Sequence, residues 1–175
     1  MMGKRKVLIS GIAVAVIAVF VVIAMPDWFA QRGDTGAKDA REDKAPDFVL
    51  QDIHGGKFRL NDQRGKPVLL IFGTTWCPSC REEIPHLKDI YAQYAKKGLI
   101  MVNIDIQESR DKVSRYADKY ELPYRLLLDE NGAVSEMYGI RGVPAMILLD
   151  EAGMIVGGQR FIDPLLATML KGKKL

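Results

Sequence analysis

Thr74–Pro85 reads TTWCPSCREEIP, and it holds both cysteines of the 175-residue chain, Cys77 and Cys80. Just before it, Val68–Phe72 (VLLIF) is an unbroken apolar run, which predicts a buried strand. After it, Ile84, Leu87, Ile90, Tyr91 and Tyr94 recur at helical spacing, and Gly98 supplies a stop. The cysteines therefore stand where a buried strand passes into a helix. The first N–H groups of a helix lack intrahelical partners and carry partial positive charge, so a thiolate there is stabilised. Cys77 is the expected nucleophile, because it precedes the first turn and should be the more exposed of the two. Cys80 is the expected resolving thiol, and Pro78 suits the first helical position.

Other uses of the pair fit less well. A Cys77–Cys80 bridge closes a very small loop, so it restricts the unfolded chain little. A structural zinc takes four ligands and this motif supplies two. The only histidines, His54 and His86, form no HxxxH with each other. His54 reads as a turn residue and His86 as a polar residue on the helix. The expectation is no metal, and no cofactor beyond a redox-active Cys77–Cys80 disulfide.

Outward from the motif, strands and helices alternate. Phe48–Leu50 and Lys57–Leu60 flank a His-Gly-Gly turn and predict a hairpin. Leu99–Ile104 predicts a second buried strand. Ser109 is the expected cap of a helix reaching about Tyr120, with Pro123 beyond it. Arg125–Leu128 predicts a short strand and Ala133–Tyr138 a brief helix. Ala145–Leu149 and Met154–Val156 form a hairpin around Asp-Glu-Ala-Gly. Asp163 is the expected cap of a last helix, with Pro164 at its first position. This order argues an α/β sandwich with a mixed central sheet, an N-terminal β-hairpin and a central helical insertion.

The N-terminus reads as an address. Val7–Met25 carries no charge, and as a helix its residues span about 28 Å, close to the thickness of a bilayer's hydrocarbon core. Trp28 and Phe29 suit the membrane interface, and Lys4, Arg5 and Lys6 should stay cytoplasmic. A cleaved signal peptide is the alternative, but no good small-x-small site follows the run. Residues 1–30 are therefore expected to be a single-pass signal-anchor. Residues 31–45, mixed in charge and without large apolar side chains, are expected to be a flexible linker. The folded domain should occupy residues 46–175 on the periplasmic or extracytoplasmic side. Net charge is +3, of which residues 1–30 carry +2 and residues 46–175 carry +1, which gives no footprint for nucleic acid.

WCPSC, Pro85 and Gly142-Val143-Pro144 before a strand resemble the thioredoxin fold, a three-layer sandwich. The resemblance implies that Pro144 is cis, that Val143 and Pro144 meet the incoming peptide, and that Pro85 kinks the active-site helix. More closely, Ala45-Pro46-Asp47-Phe48, Gly65-Lys66-Pro67 and Trp76–Cys80 with Glu83 and Pro85 resemble the membrane-tethered TlpA/ResA/CcmG group. That group reduces disulfides outside the cytoplasmic membrane, notably in apocytochrome c, during cytochrome c maturation. The resemblance implies a disulfide reductase with protein disulfide substrates, a membrane thiol-electron carrier as reductant, and a monomeric state. Trp76 is expected to touch substrate. Thioredoxin's buried Asp, six residues before the first cysteine, is Ile71 here. A proton acceptor for Cys80 must then come from elsewhere or from water. Glu83, on the helix face of Cys80, is the expected candidate.

Two rivals share features. A peroxiredoxin-like thiol peroxidase also shows APDF and a Thr three residues before its Cys, as Thr74 is here. Its usual proline is replaced by Leu70, and its resolving cysteine does not usually form a CxxC. A Sco-like copper chaperone shows CxxxC and a distant histidine ligand, and this chain has neither.

Overall fold

In a computed structural model of the chain, residues 44–158 and 162–171 are described. The expected membrane anchor at residues 1–30 and the linker up to residue 43 lie outside the described residues. The linker's expected end does not hold. Lys44 bridges to Met154, and Ala45 is buried with its N–H donating to the Gly153 carbonyl at 3.0 Å. Ordered structure thus includes two residues ahead of Pro46, because the β-turn near Gly153 offers them backbone partners. Among the described residues, no helix is long and apolar enough to cross a membrane.

Seven strands form one mixed sheet: β1 (Val49–Asp52), β2 (Lys57–Arg59), β3 (Val68–Gly73), β4 (Ile100–Ile106), β5 (Arg125–Asp129), β6 (Ala145–Leu149) and β7 (Ile155–Gly158). Their order is β2-β1-β5-β4-β3-β6-β7. β3, β4 and β5 run parallel, and the hairpins β1–β2 and β6–β7 join at either side antiparallel. Among the described residues three α-helices connect strands, α1 (Pro78–Tyr94), α2 (Arg110–Tyr120) and α3 (Ala133–Met137), and α4 (Ile162–Met169) follows β7.

The alternation of strand side chains divides the core in two. Leu69, Ile71, Met101, Met146 and Leu148 pack with Leu87, Ile90 and Tyr94 of α1 and with Leu166 of α4. Leu70, Phe72, Val102, Ile104, Leu127 and Leu149 pack on the other face with Phe48, Phe58 and Val134 of α3. β3 and β4 are buried on both faces, which is why β3 reads as an unbroken apolar run and β4 is apolar except at Asn103 and Asp105. Two expected caps differ. Ser109 occupies the cap position of α2, but its side chain makes no capping bond. α4 begins by Ile162, so Asp163 lies inside its first turn, where its carboxylate faces His86 rather than the helix end.

Candidate active site

Cys77 and Cys80 form a disulfide with their Cα atoms 5.3 Å apart. Cys77 is the residue capping α1, and Pro78 follows at the first helical position. The Cys80 N–H, one of the donors that the helix itself cannot satisfy, donates to Cys77 Sγ at 3.1 Å. The N-terminal field of the helix is thus aimed at the Cys77 sulfur, which favours its thiolate. α1 runs on through Pro85, whose missing N–H leaves the Arg81 carbonyl without its usual donor.

The expected exposure of Cys77 is not found. Cys77 is 3% exposed and Cys80 9%. The capping geometry turns the Cys77 sulfur inward, with Ser79 Oγ at 3.3 Å and the Val143 carbonyl oxygen at 3.7 Å. The Val143–Pro144 peptide is cis. Trp76, by contrast, is 64% exposed and forms an apolar shoulder next to the buried sulfur. Trp76, Cys77, Cys80, Val143 and Pro144 are therefore brought to one place, although Val143 and Pro144 arrive from a distant part of the chain.

Glu83 is placed otherwise. Its carboxylate hydrogen-bonds His86 Nδ1, and His86 Nε2 meets the Asp163 carboxylate at 3.1 Å. These contacts tie α1 to α4, and Glu83 does not line the cavity behind Cys80. His86 is held above its ordinary pKa, chiefly by the hydrogen bond with Glu83.

The turn before Trp76 is fixed from the far side of β4. The Thr75 N–H and hydroxyl donate to the two carboxylate oxygens of Glu108 at 2.5 and 2.7 Å, and Lys112 pairs with the same carboxylate. Behind Cys80 lies a cavity lined also by Thr74, Asp105, Tyr116, Tyr124 and Pro144. Asp105 is fully buried on β4, and burial raises its pKa to about 7. The sequence carried a signal for this residue. Asn103 and Asp105 are two polar residues, two apart, inside a strand that otherwise reads as buried, so they share one face.

A profile described as the AhpC/TSA family matches residues 42–157, more than half of the chain. The chain belongs to the AhpC/TSA family. Within this family the ResA resemblance is borne out: the chain is 35% identical over 111 residues to the thiol-disulfide oxidoreductase ResA of Geobacillus thermodenitrificans. The match covers 63% of this chain and 64% of that relative, so somewhat under two thirds of the relative's length. Among solved structures, the thioredoxin domain of a Bacteroides vulgatus thiol-disulfide oxidoreductase superposes with a TM-score of 0.66 at 28% identity. It covers 75% of this chain and 96% of that domain. A provisionally named thiol:disulfide interchange protein DsbE of Chlorobium tepidum gives a TM-score of 0.68 at 25% identity, covering 73% and 96%. The thioredoxin-like α/β fold of this AhpC/TSA family member is thereby shown.

Proposed function

We propose that the chain is an exported, membrane-tethered thiol-disulfide oxidoreductase that reduces protein disulfides by exchange at Cys77 and Cys80. The observation that carries this reading is the Cys77–Cys80 disulfide at the head of α1, with the Val143 carbonyl beside the Cys77 sulfur. Reduced Cys77 attacks a substrate disulfide and forms a mixed disulfide, and Cys80 then displaces the substrate thiol. Trp76 and the Val143–Pro144 backbone receive the incoming chain. Glu83 acts through His86, holding α1 on α4, rather than at the sulfurs.

The apolar run Val7–Met25 supports a single-pass anchor, with Lys4, Arg5 and Lys6 on the cytoplasmic side and the domain on the periplasmic or extracytoplasmic side. Apocytochrome c is the leading substrate, and a membrane thiol-electron carrier returns the electrons. The domain works as a monomer and holds no cofactor other than its cysteine pair.

Incubation of the full chain with a disulfide-bonded protein such as insulin tests the reading. Reduction should require Cys77, and Cys80→Ser should accumulate the mixed disulfide. Equal trapping by Cys77→Ser would overturn the assignment of roles. Rapid peroxide consumption without disulfide reduction would identify a thiol peroxidase, and stoichiometric copper binding without reduction a chaperone. A potential near about −120 mV, that of a strong oxidant, would reverse the direction of electron flow.

A further inference from the structure

The cavity behind Cys80 leaves about 20 Å³ for the centre of a water molecule, enough for one. Two side-chain oxygens on its wall, Thr74 Oγ1 and Asp105 Oδ1, are fully buried and have no hydrogen-bond partner. A buried carboxyl oxygen without a partner is costly, so its retention needs a reason. The other oxygen, Oδ2, accepts from Asn103 Nδ2 at 3.0 Å, which fixes the carboxyl group in place. In the parallel register of β3 and β4, the residue opposite Asp105 is Gly73. A Cβ on Gly73 would lie 3.7 Å from both Cys80 Sγ and Asn103 Oδ1. With no side chain there, the Cys80 sulfur and the Asn103–Asp105 pair share one small space. Proton transfer across it runs directly or over a single water.

We propose that Asp105 is the proton acceptor and donor for Cys80 during dithiol exchange. The proposal rests on the exchange reading above and assigns the base that Ile71 does not supply. Cys80 is buried, so its thiol gives up a proton reluctantly without a nearby acceptor. In the resolving step the Asp105 carboxylate takes the Sγ proton of Cys80. The freed electron pair on Cys80 Sγ forms the bond to Cys77 Sγ. The bond from Cys77 to the substrate sulfur breaks, and its electron pair leaves on the substrate as a thiolate. Cys77 and Cys80 together are oxidised by two electrons, and the substrate disulfide is reduced by two. Asp105 is left protonated beside the new disulfide. When an external dithiol reduces that disulfide, Asp105 returns the proton to Cys80.

The surroundings fit a proton-holding acid. Thr74 faces it from the turn after β3, Tyr116 from α2 and Tyr124 from the segment before β5. Burial raises the pKa of both phenols, that of Tyr116 to about 12, so they stay neutral and do not compete for the proton. Glu108, just beyond β4, adds negative charge that further favours protonated Asp105, while Lys112 pairs with Glu108. Arg81 of α1 acts on Tyr116.

The reduced full-length chain treated with 5,5′-dithiobis(2-nitrobenzoate) reports the two steps separately. The first thionitrobenzoate is released when Cys77 attacks, and the second when Cys80 resolves. Asp105→Asn should slow the second release about 10-fold or more near neutral pH, and leave the first within about two-fold. The pH profile of the second release should lose an inflection that Asp105→Glu keeps. An unchanged second release, or equal slowing of both, overturns the proposal. Should Asp105→Asn fail to fold, carboxyl NMR of the unaltered chain decides. The titration of Asp105 should move between the disulfide and dithiol forms, and an identical midpoint in both overturns the proposal. A chain with no first release from Cys77 would instead sink the exchange reading.

Discussion

The two faces of the central sheet use the same strands to different ends. On the face that packs against α3 and the N-terminal hairpin, the buried side chains are apolar along the whole length, from Val68 to Phe72 and from Val102 to Ile104. On the face under α1, β3 runs apolar through Leu69 and Ile71 to Gly73, while β4 begins apolar at Met101 and ends polar at Asn103 and Asp105. Burying polar groups costs free energy. On the α1 side of β3 and β4 that cost falls at the carboxyl end of β4, beneath the cysteines. Both faces hold the fold, but along β3 and β4 only the α1 face ends in buried polar side chains.

The largest test of this division is Phe72→Ala. Phe72 is fully buried and lies 5.6 Å, ring to ring, from Tyr138. Its truncation should cost about 3–5 kcal/mol of stability in denaturant unfolding. The exchange rate of the remaining folded protein should be unchanged, and a specific loss of exchange would break the comparison.

Asp105→Asn gives the next effect, with the sign set by burial. The folded disulfide form keeps its Asp105 proton up to about pH 7, and the ordinary carboxyl value is 3.8. Between those values the folded state binds more protons than the unfolded state, so stability falls as pH rises. A shift of that size corresponds to at most ~4 kcal/mol. Unfolding of the oxidised protein at pH 5 and pH 8 should show this loss, and Asp105→Asn should flatten it. Parallel curves for both proteins would place the polar end of the face outside the energetics.

The smallest effect concerns His86, whose side chain is 42% exposed. Its raised pKa means that its bonds to Glu83 and Asp163 stabilise below about pH 6.5, the unperturbed value, and that this is lost as pH rises through the raised one. Solvent screening holds the gain to roughly 0.3–1 kcal/mol. His86→Ala should be less stable than the native chain at pH 5.5 and equal to it at pH 9. A difference that persists at pH 9 would mean that packing, not charge, joins α1 to α4.

Much of this was legible in the sequence, because strand and helix periodicity is local. VLLIF, the Ile84–Tyr94 spacing and Pro164 located their elements to within a few residues. The cysteine pair and Val143-Pro144 located the site. What escaped depends on register and on side-chain direction. Nothing local says that Cys77 turns its sulfur inward to cap its own helix. The link from Glu83 passes through His86, which reaches Asp163 77 residues further along the chain. Asp105 lines the cavity behind Cys80 only because β4 lies parallel to β3 with Gly73 opposite it. The unusual polar spacing in β4 was visible, but the strand pairing that gives it meaning was not.

That parallel pairing also orders events in time. Two parallel neighbours cannot be joined by a tight turn, so β4 reaches β3 only after the chain has gone out along α1 and returned. Until that crossover closes, Cys80 has no buried acid near it, and an ordinary thiol has a pKa of about 8.5. The buried surroundings of Cys80 exist only where β4 has paired with β3. A chain whose sheet has not yet closed thus lacks the cavity behind Cys80.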